Sequence, residues 1–96
     1  MQSMLCSKHE VTQGSNVVVR RGVKWAAQDN EEVYITFPDD PKRDGAYRIS
    51  TRIIRFSDLQ ELDVPGKLLP EVLVQMREWY PGFDPREIVT LVEFDV

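Results

Sequence analysis

Apolar and polar residues alternate along two stretches of the first half of the chain, and this period of two predicts half-buried β-strands. The first stretch is Glu31–Phe37. The second, Ala46–Phe56, is long enough for one strand to bend around a barrel. An earlier run of valines, in Asn16–Arg21, predicts a further strand whose two terminal arginines point to opposite sides of the sheet.

In the second half the period changes to that of a helix. Apolar residues recur three and four positions apart from Leu68 to Tyr80, which predicts a helix that buries one face, with Trp79 and Tyr80 on it. Pro81–Gly82 ends this helix. A shorter helix is predicted over Ser57–Leu62, where Ser57 and Gln60 have the spacing of a capping box.

The β-branched run near the end of the chain is too apolar for a strand with one wet face. We therefore expect the terminal strand, Glu87–Val96, to be paired on both edges or enclosed in a barrel. Together the elements predict an α+β fold: a small β-barrel or strongly curved antiparallel sheet flanked by two helices. Residues 1–15 show no clear period and are expected to form a weakly ordered segment before a single domain at 16–96.

Composition narrows the function only a little. The net charge of −4 argues against a general nucleic-acid binder. However, residues 1–56 carry a surplus of two positive charges, and residues 57–96 carry a surplus of six negative charges. No apolar run is long enough to cross a bilayer, and no signal peptide or oxidising compartment is indicated, so we expect a cytoplasmic protein without a membrane partner.

The sequence contains no recognisable cofactor motif. Its glycines are spread singly, so neither a Walker sequence nor a dinucleotide fingerprint is present. Cys6 and His9 are the only residues of their kinds, and they are too few for a metal site. We expect no metal and no cofactor, and the sequence leaves the oligomeric state open.

One group of residues suggests binding chemistry. Arginine offers a planar donor fork for phosphate, and an indole offers a face on which a base can stack. The candidate ligand- or RNA-binding residues are Arg20, Arg21, Lys24, Trp25, Arg48 and Arg52. The opposing interpretation is that Trp25 anchors the core and that the arginines form surface ion pairs.

The second half resembles the ASCH domain, a member of the PUA-like superfamily of small β-barrels. The resemblance is carried by Ile53–Leu59, by Met76–Gly82 with its Tyr-Pro helix end, and by the hydrophobic strand Ile88–Phe94. It covers residues 47–96 well and residues 16–37 weakly, and it implies a PUA-like fold with a cleft for RNA or a nucleotide.

The bacterial acetylcytidine amidohydrolases of this family use a lysine, a threonine and a glutamate. The resemblance aligns the lysine with Ser15 or Asn16, the threonine with Val18 or Val19, and the glutamate with Pro65. These residues cannot carry out the proton transfer or nucleophilic attack. No catalytic residue is therefore assigned.

Three hypotheses follow. The first is a non-enzymatic ASCH/PUA-like domain that binds RNA or a nucleotide-like ligand at a cleft edged by arginines. The second is an acidic protein-interaction module, an inhibitor or adaptor whose partner contacts the acidic second half. The third is a diverged hydrolase of modified nucleosides, which a polar pocket with a buried lysine or glutamate beside the arginines would favour.

Overall fold

The fold is built from two three-stranded sheets and one α-helix. It was obtained as a computed structural model that describes residues 2–7 and 10–96. The helix and one sheet enclose one apolar cluster, and the two sheets enclose another. The radius of gyration of the Cα atoms is 12.6 Å. The predicted α+β class is confirmed, but over the described residues the sheets do not close into a barrel.

The first sheet has the strand order β1-β3-β4. Strand β3, Glu32–Thr36, pairs antiparallel with β4, Gly45–Arg48, and parallel with β1, Ser3–Leu5. The alternation predicted for β3 is confirmed, since Val33 and Ile35 are fully buried. The parallel pair departs from the predicted antiparallel sheet.

The second sheet has the order β2-β6-β5. Its central strand β6, Ile88–Asp95, pairs antiparallel with β2, Ser15–Arg21, on one edge and with β5, Ser50–Arg55, on the other. Val92 faces the cluster between the sheets, whereas Val89 faces the cluster under the helix. The terminal strand is therefore buried on both faces and paired on both edges, as its apolar run predicts.

The single long strand predicted over Ala46–Phe56 is two strands. The chain leaves the first sheet at Arg48, enters the second at Ser50, and turns at Ile49, whose side chain is fully buried. Arg48 and Arg52 thus lie in different sheets and do not share a face of one strand.

Helix α1, Leu69–Trp79, confirms the longer predicted helix. Val72 and Met76 are buried against the second sheet. The shorter helix predicted over Ser57–Leu62 is absent: Phe56–Asp58 and Glu61–Asp63 are separate 3-10 turns. Leu59 between them is extended, and a segment this short does not repay the cost of helix nucleation.

The amino-terminal segment also differs from the expectation of weak attachment. Besides strand β1, it contributes four side chains that are at most 5% exposed: Met4, Cys6, Glu10 and Val11. Too few apolar residues are spaced regularly here for a period to show, so the sequence pattern misses this packing. His9 lies outside the described residues.

Among the described residues, no helix has both the length and the apolar character needed to span a membrane.

Candidate functional site

The six residues predicted to bind a ligand do not form one cleft. Trp25 is 7% exposed and belongs to the core between the sheets, so its ring cannot offer a face to a base. Lys24 lies over that ring, with its Nζ 5.2 Å from the centroid. The core-anchor interpretation of Trp25 therefore fits the structure, and the stacking interpretation does not.

Three of the arginines are engaged near the surface. The Nε of Arg21 donates to Oε1 of Glu87 over 2.7 Å. Arg48 donates to the backbone oxygen of Asn30, and Arg52 forms an ion pair with Asp63. These contacts agree with the alternative interpretation of the arginines as partners in surface interactions.

Arg20 differs from the others because it is 6% exposed and lines a cleft of about 460 Å³. Four segments converge on this cleft: the end of β1, the end of β2, the loop after β3 and the end of α1. Its walls include Leu5, Cys6, Arg20, Asp39, Trp79 and Tyr80. The volume falls in the range of small-molecule sites.

The guanidinium of Arg20 is held from several sides. Its two terminal nitrogens donate to the two carboxylate oxygens of Glu10 over 2.8 and 3.2 Å. They also donate to the backbone oxygens of Val19 and Leu5 over 3.0 and 2.7 Å, and to the sulfur of Cys6 over 3.3 Å. Burial lowers the pKa of Arg20, but the charge and hydrogen bonds of Glu10 more than offset this, so the net shift is upward.

The Nε atom of Arg20 differs from the two terminal nitrogens: its N–H donates to no acceptor among the described residues. No buried side-chain nitrogen or oxygen in that part of the chain is left without a partner. The Nε atom is therefore not completely buried, although Arg20 as a whole is only 6% exposed. At the cleft wall Arg20 is therefore a fixed side chain whose charge is balanced by Glu10.

The aromatic wall of the cleft was not predicted. Trp79 is 40% exposed, and its ring centroid lies 5.3 Å from Cζ of Arg20. Tyr80 follows it, and its ring centroid lies 5.9 Å from Cζ of Arg21. The helix ends here. Gly82 takes a left-handed φ of +85°, which changes the direction of the chain, and the following residue, Phe83, is buried. The apolar period assigns both rings to the core. This holds in part for Tyr80, which is half-buried against the cluster under the helix, but not for Trp79.

Asp39 faces the same cleft from a fixed turn. The backbone N–H of Asp40 donates to the oxygen of Phe37 over 2.8 Å, which places Pro38 and Asp39 at the two central positions. Proline suits the first of these, and fully buried Phe37 anchors the turn. Over the described residues, no hydrogen bond or ion pair engages the Asp39 carboxylate.

Two further polar residues lie beside Arg20 but open elsewhere. Glu10 and Lys67 line a separate depression of about 250 Å³ against α1. The Nζ of Lys67 donates to the backbone oxygen of Val17, and burial, with Arg20 as a further cause, lowers the pKa of this ammonium. Glu10 is thus a buried glutamate beside an arginine, as the hydrolase hypothesis requires, whereas Lys67 is half-buried. However, both oxygens of Glu10 are engaged, by Arg20 and by the Ser7 N–H at 2.9 Å.

Cys6 is not an activated nucleophile. Burial raises the pKa of its thiol to about 11, although the positive charge of Arg20 opposes the shift. The thiol is therefore protonated at neutral pH. No group of three or more histidine, cysteine, aspartate or glutamate residues in the described ranges could hold a metal ion.

Comparisons of the chain with protein-family models, with curated proteins and with solved structures gave no match.

Proposed function

We propose that this protein is a non-enzymatic binding domain whose cleft takes the planar ring of a nucleotide-like ligand, as a free nucleoside or as an unpaired base of RNA. The observation that carries the proposal is the half-exposed ring of Trp79, fixed by buried Arg20 at the wall of a cleft of small-molecule size. Stacking on aromatic side chains is the main way in which proteins hold unpaired bases.

The charges favour recognition of the ring over recognition of phosphate. Glu10 balances Arg20, and Asp39 adds a negative charge to the cleft wall. Arg21 lies beside Tyr80, but it is already paired with Glu87. A phosphate would have to displace such pairs, whereas a neutral ring displaces none.

The PUA-like fold and the ASCH resemblance belong to this proposal. In it, the two sheets are the halves of an incompletely closed barrel. The chain segment that runs from β4 directly into β5, with only Ile49 between them, supports this relation. The motifs at Ile53–Leu59 and Met76–Gly82 support the family assignment.

The test is isothermal titration of the four common ribonucleosides, and of a short single-stranded RNA, into wild-type protein, Trp79→Ala and Tyr34→Ala. Tyr34 is the matched control, since it is also 40% exposed and does not line the cleft. Removing a stacked ring costs about 1–3 kcal/mol per base, so Trp79→Ala should weaken binding about tenfold while Tyr34→Ala leaves it unchanged.

Absence of binding by wild type, or equal losses in the two variants, would contradict the proposal. It would favour the hypothesis of a protein partner that contacts the acidic second half.

A further inference from the structure

Strand β5 has one paired edge and one open edge. Its paired edge faces β6, and the N–H of Phe56 continues that ladder by donating to the backbone oxygen of Glu87 over 3.0 Å. The backbone groups of successive residues in an antiparallel strand point alternately to its two edges. The residues an odd number of positions before Phe56 therefore face away from β6. They are Thr51, Ile53 and Arg55.

Strand β3 does not extend far enough to cover this open edge. Its ladder with β4 reaches Ile49, whose N–H donates to the backbone oxygen of Glu31 over 3.0 Å. Asn30 has a left-handed φ of +61°, so the chain before Glu31 is not extended and β3 does not continue along β5. In place of a backbone oxygen, the carboxylate of Asp29 accepts from the N–H of Thr51 over 2.7 Å.

Three backbone groups remain at the open edge: the N–H and the oxygen of Ile53, and the N–H of Arg55. No hydrogen bond engages them over residues 2–7 and 10–96. The side chains are accessible as well, since Ile53 is 51% exposed and Arg55 is exposed. Open strand edges pair with extended peptides, in which the main chain supplies affinity and alternate side chains supply specificity.

The charge of the strand indicates which kind of peptide fits this edge. Strand β5 contains Arg52 and Arg55 and no acidic residue. Arg52 is paired with Asp63, whereas Arg55 takes part in no ion pair within the described ranges. On an added strand, an acidic side chain directly opposite Arg55 is stabilising and a basic one is destabilising. Pairing with β5 of a second copy would bring the arginines of both strands together, which disfavours a homodimer.

We propose that the open edge of β5 binds an extended acidic segment of a partner protein, which joins the second sheet as a fourth strand antiparallel to β5. The direction is that of β3, whose ladder with β4 ends where this edge begins. An acidic residue then lies opposite Arg55, and two positions later a valine or isoleucine lies opposite Ile53. This surface is separate from the cleft, whose walls include no residue of β5.

The probe is a short capped peptide with the core glutamate–threonine–valine. Titrated into isotopically labelled wild-type protein, it should shift the amide signals of Ile53 and Arg55. N-methylation of its valine removes the N–H that donates to the oxygen of Ile53, and should weaken binding about two- to tenfold. N-methylation of its threonine, whose N–H points away from β5, is the matched control and should leave the affinity unchanged.

A proline in the protein tests the same edge from the other side. Ile53→Pro removes an N–H from the open edge and leaves the ladder with β6 intact, a position at which edge strands tolerate proline. It should weaken binding about two- to tenfold, whereas Ile53→Val, which keeps the N–H, should bind like wild type. Thermal unfolding of both variants shows whether the fold is retained, and the two N-methylated peptides test the edge in wild-type protein.

Reversal of one charge tests the choice of an acidic segment. Arg55→Glu should weaken binding of the peptide by up to about fivefold, and should strengthen binding of a peptide with lysine in place of the glutamate. Lys42→Glu is the matched control, since it makes the same change in net charge at an exposed residue of the loop after β3. It should alter neither affinity.

Three results would overturn the proposal: unchanged amide signals of Ile53 and Arg55 at millimolar peptide, equal losses from the two N-methyl groups, or an unaltered charge preference in Arg55→Glu. A wild-type dimer that Ile53→Pro dissociates would also overturn it, because a second copy would then occupy the edge. The proposed binding of nucleosides is independent of these outcomes, since it concerns the cleft.

Discussion

The guanidinium carbon of Arg20 lies 5.3 Å from the centroid of the Trp79 ring. The contact joins β2, an edge strand of the second sheet, with the last turn of the helix. It also accounts for the position of Trp79, which the helical period assigns to the core but which is held at the surface by a buried cation. The contact leads to a prediction about stability.

Trp79→Ala should lower the free energy of unfolding by about 1 kcal/mol, the scale of a partly exposed cation–π contact. Met76→Ala, on the buried face of the same helix, should cost about 2–5 kcal/mol because it leaves a cavity. Urea denaturation of the two variants checks the difference. A loss of more than about 3 kcal/mol for Trp79→Ala would mean that its ring is buried.

The buried pair of Arg20 and Glu10 should behave differently from the surface pairs. Arg20→Met leaves the Glu10 carboxylate, 4% exposed, without its partner, and should cost about 3–5 kcal/mol. The double variant Arg20→Met/Glu10→Leu should recover part of that loss. Arg52→Met, at an exposed pair, should lower the free energy of unfolding far less than Arg20→Met does.

Equilibrium denaturation of wild type, Arg20→Met, Glu10→Leu and the double variant, compared as a double-mutant cycle, gives the coupling between Arg20 and Glu10. Additive effects in the cycle would show that the two side chains do not interact in solution.

Cys6 should react slowly with thiol reagents at neutral pH. Its thiol is buried, and its pKa is raised from 9.0 to about 11. The unfolded chain releases this proton first, so between those two pKa values stability should fall as pH rises, by about 1.4 kcal/mol per pH unit. Below pH 9.0 this contribution to stability is fully present.

Thermal unfolding of wild type and Cys6→Ala across that pH range isolates the effect, since the other titrating groups are common to both. Parallel curves for the two proteins would contradict the prediction.

Salt dependence separates ring recognition from phosphate recognition. If three or four of the candidate basic residues named from the sequence contacted phosphates, the log–log slope for single-stranded RNA would be about −2 to −3. Because Arg20, Arg21 and Arg52 are already paired, we expect a slope no steeper than about −0.7, equivalent to one contact. Titration of short RNA at several salt concentrations measures this slope. A slope near −3 would favour the hypothesis of a cleft whose arginines bind phosphates.

Acetylcytidine should not be hydrolysed. The residues aligned with the family's lysine, threonine and glutamate include Asn16, Val18 and Pro65. Glu10 is bound through both oxygens, and Lys67 lies in a separate depression. Cytidine release from the purified protein should equal that of a heat-treated control, and turnover well above it would favour the hydrolase hypothesis.

The sequence predicts those elements in which the pattern of apolar residues matches the buried faces of a strand or helix. Strand β3 and helix α1 belong to this group, since each has a regular apolar side, and strand β6 is recognised by an apolar run that covers both of its faces. The break at Ile49 is not visible, because a buried residue at a change of sheet keeps the same alternation as a residue within one strand. The pattern of residues 1–15 gives no indication that Met4 and Cys6 complete the core.

The candidate site is predicted less well for a related reason. Charge and aromaticity identify Arg20, but they do not distinguish an arginine that faces solvent from one that pairs with Glu10 ten residues earlier. For the same reason the sequence predicts the wrong environment for both tryptophans. Trp25 follows basic residues in the sequence but is buried, whereas Trp79 belongs to an apolar helical pattern but is exposed. For Asp39 the sequence predicts only a position in a turn and not its place in the cleft wall.

The short parallel strand β1 joins the first sheet through few hydrogen bonds, including those from Tyr34 N–H to Gln2 and from Cys6 N–H to Thr36. Yet Leu5 and Cys6 form part of the cleft wall and bind Arg20. If this strand detached, the cleft would lose one side. Occupancy of the cleft and attachment of the strand are therefore thermodynamically linked: a ligand that binds the closed form also opposes the fraying of this end of the chain.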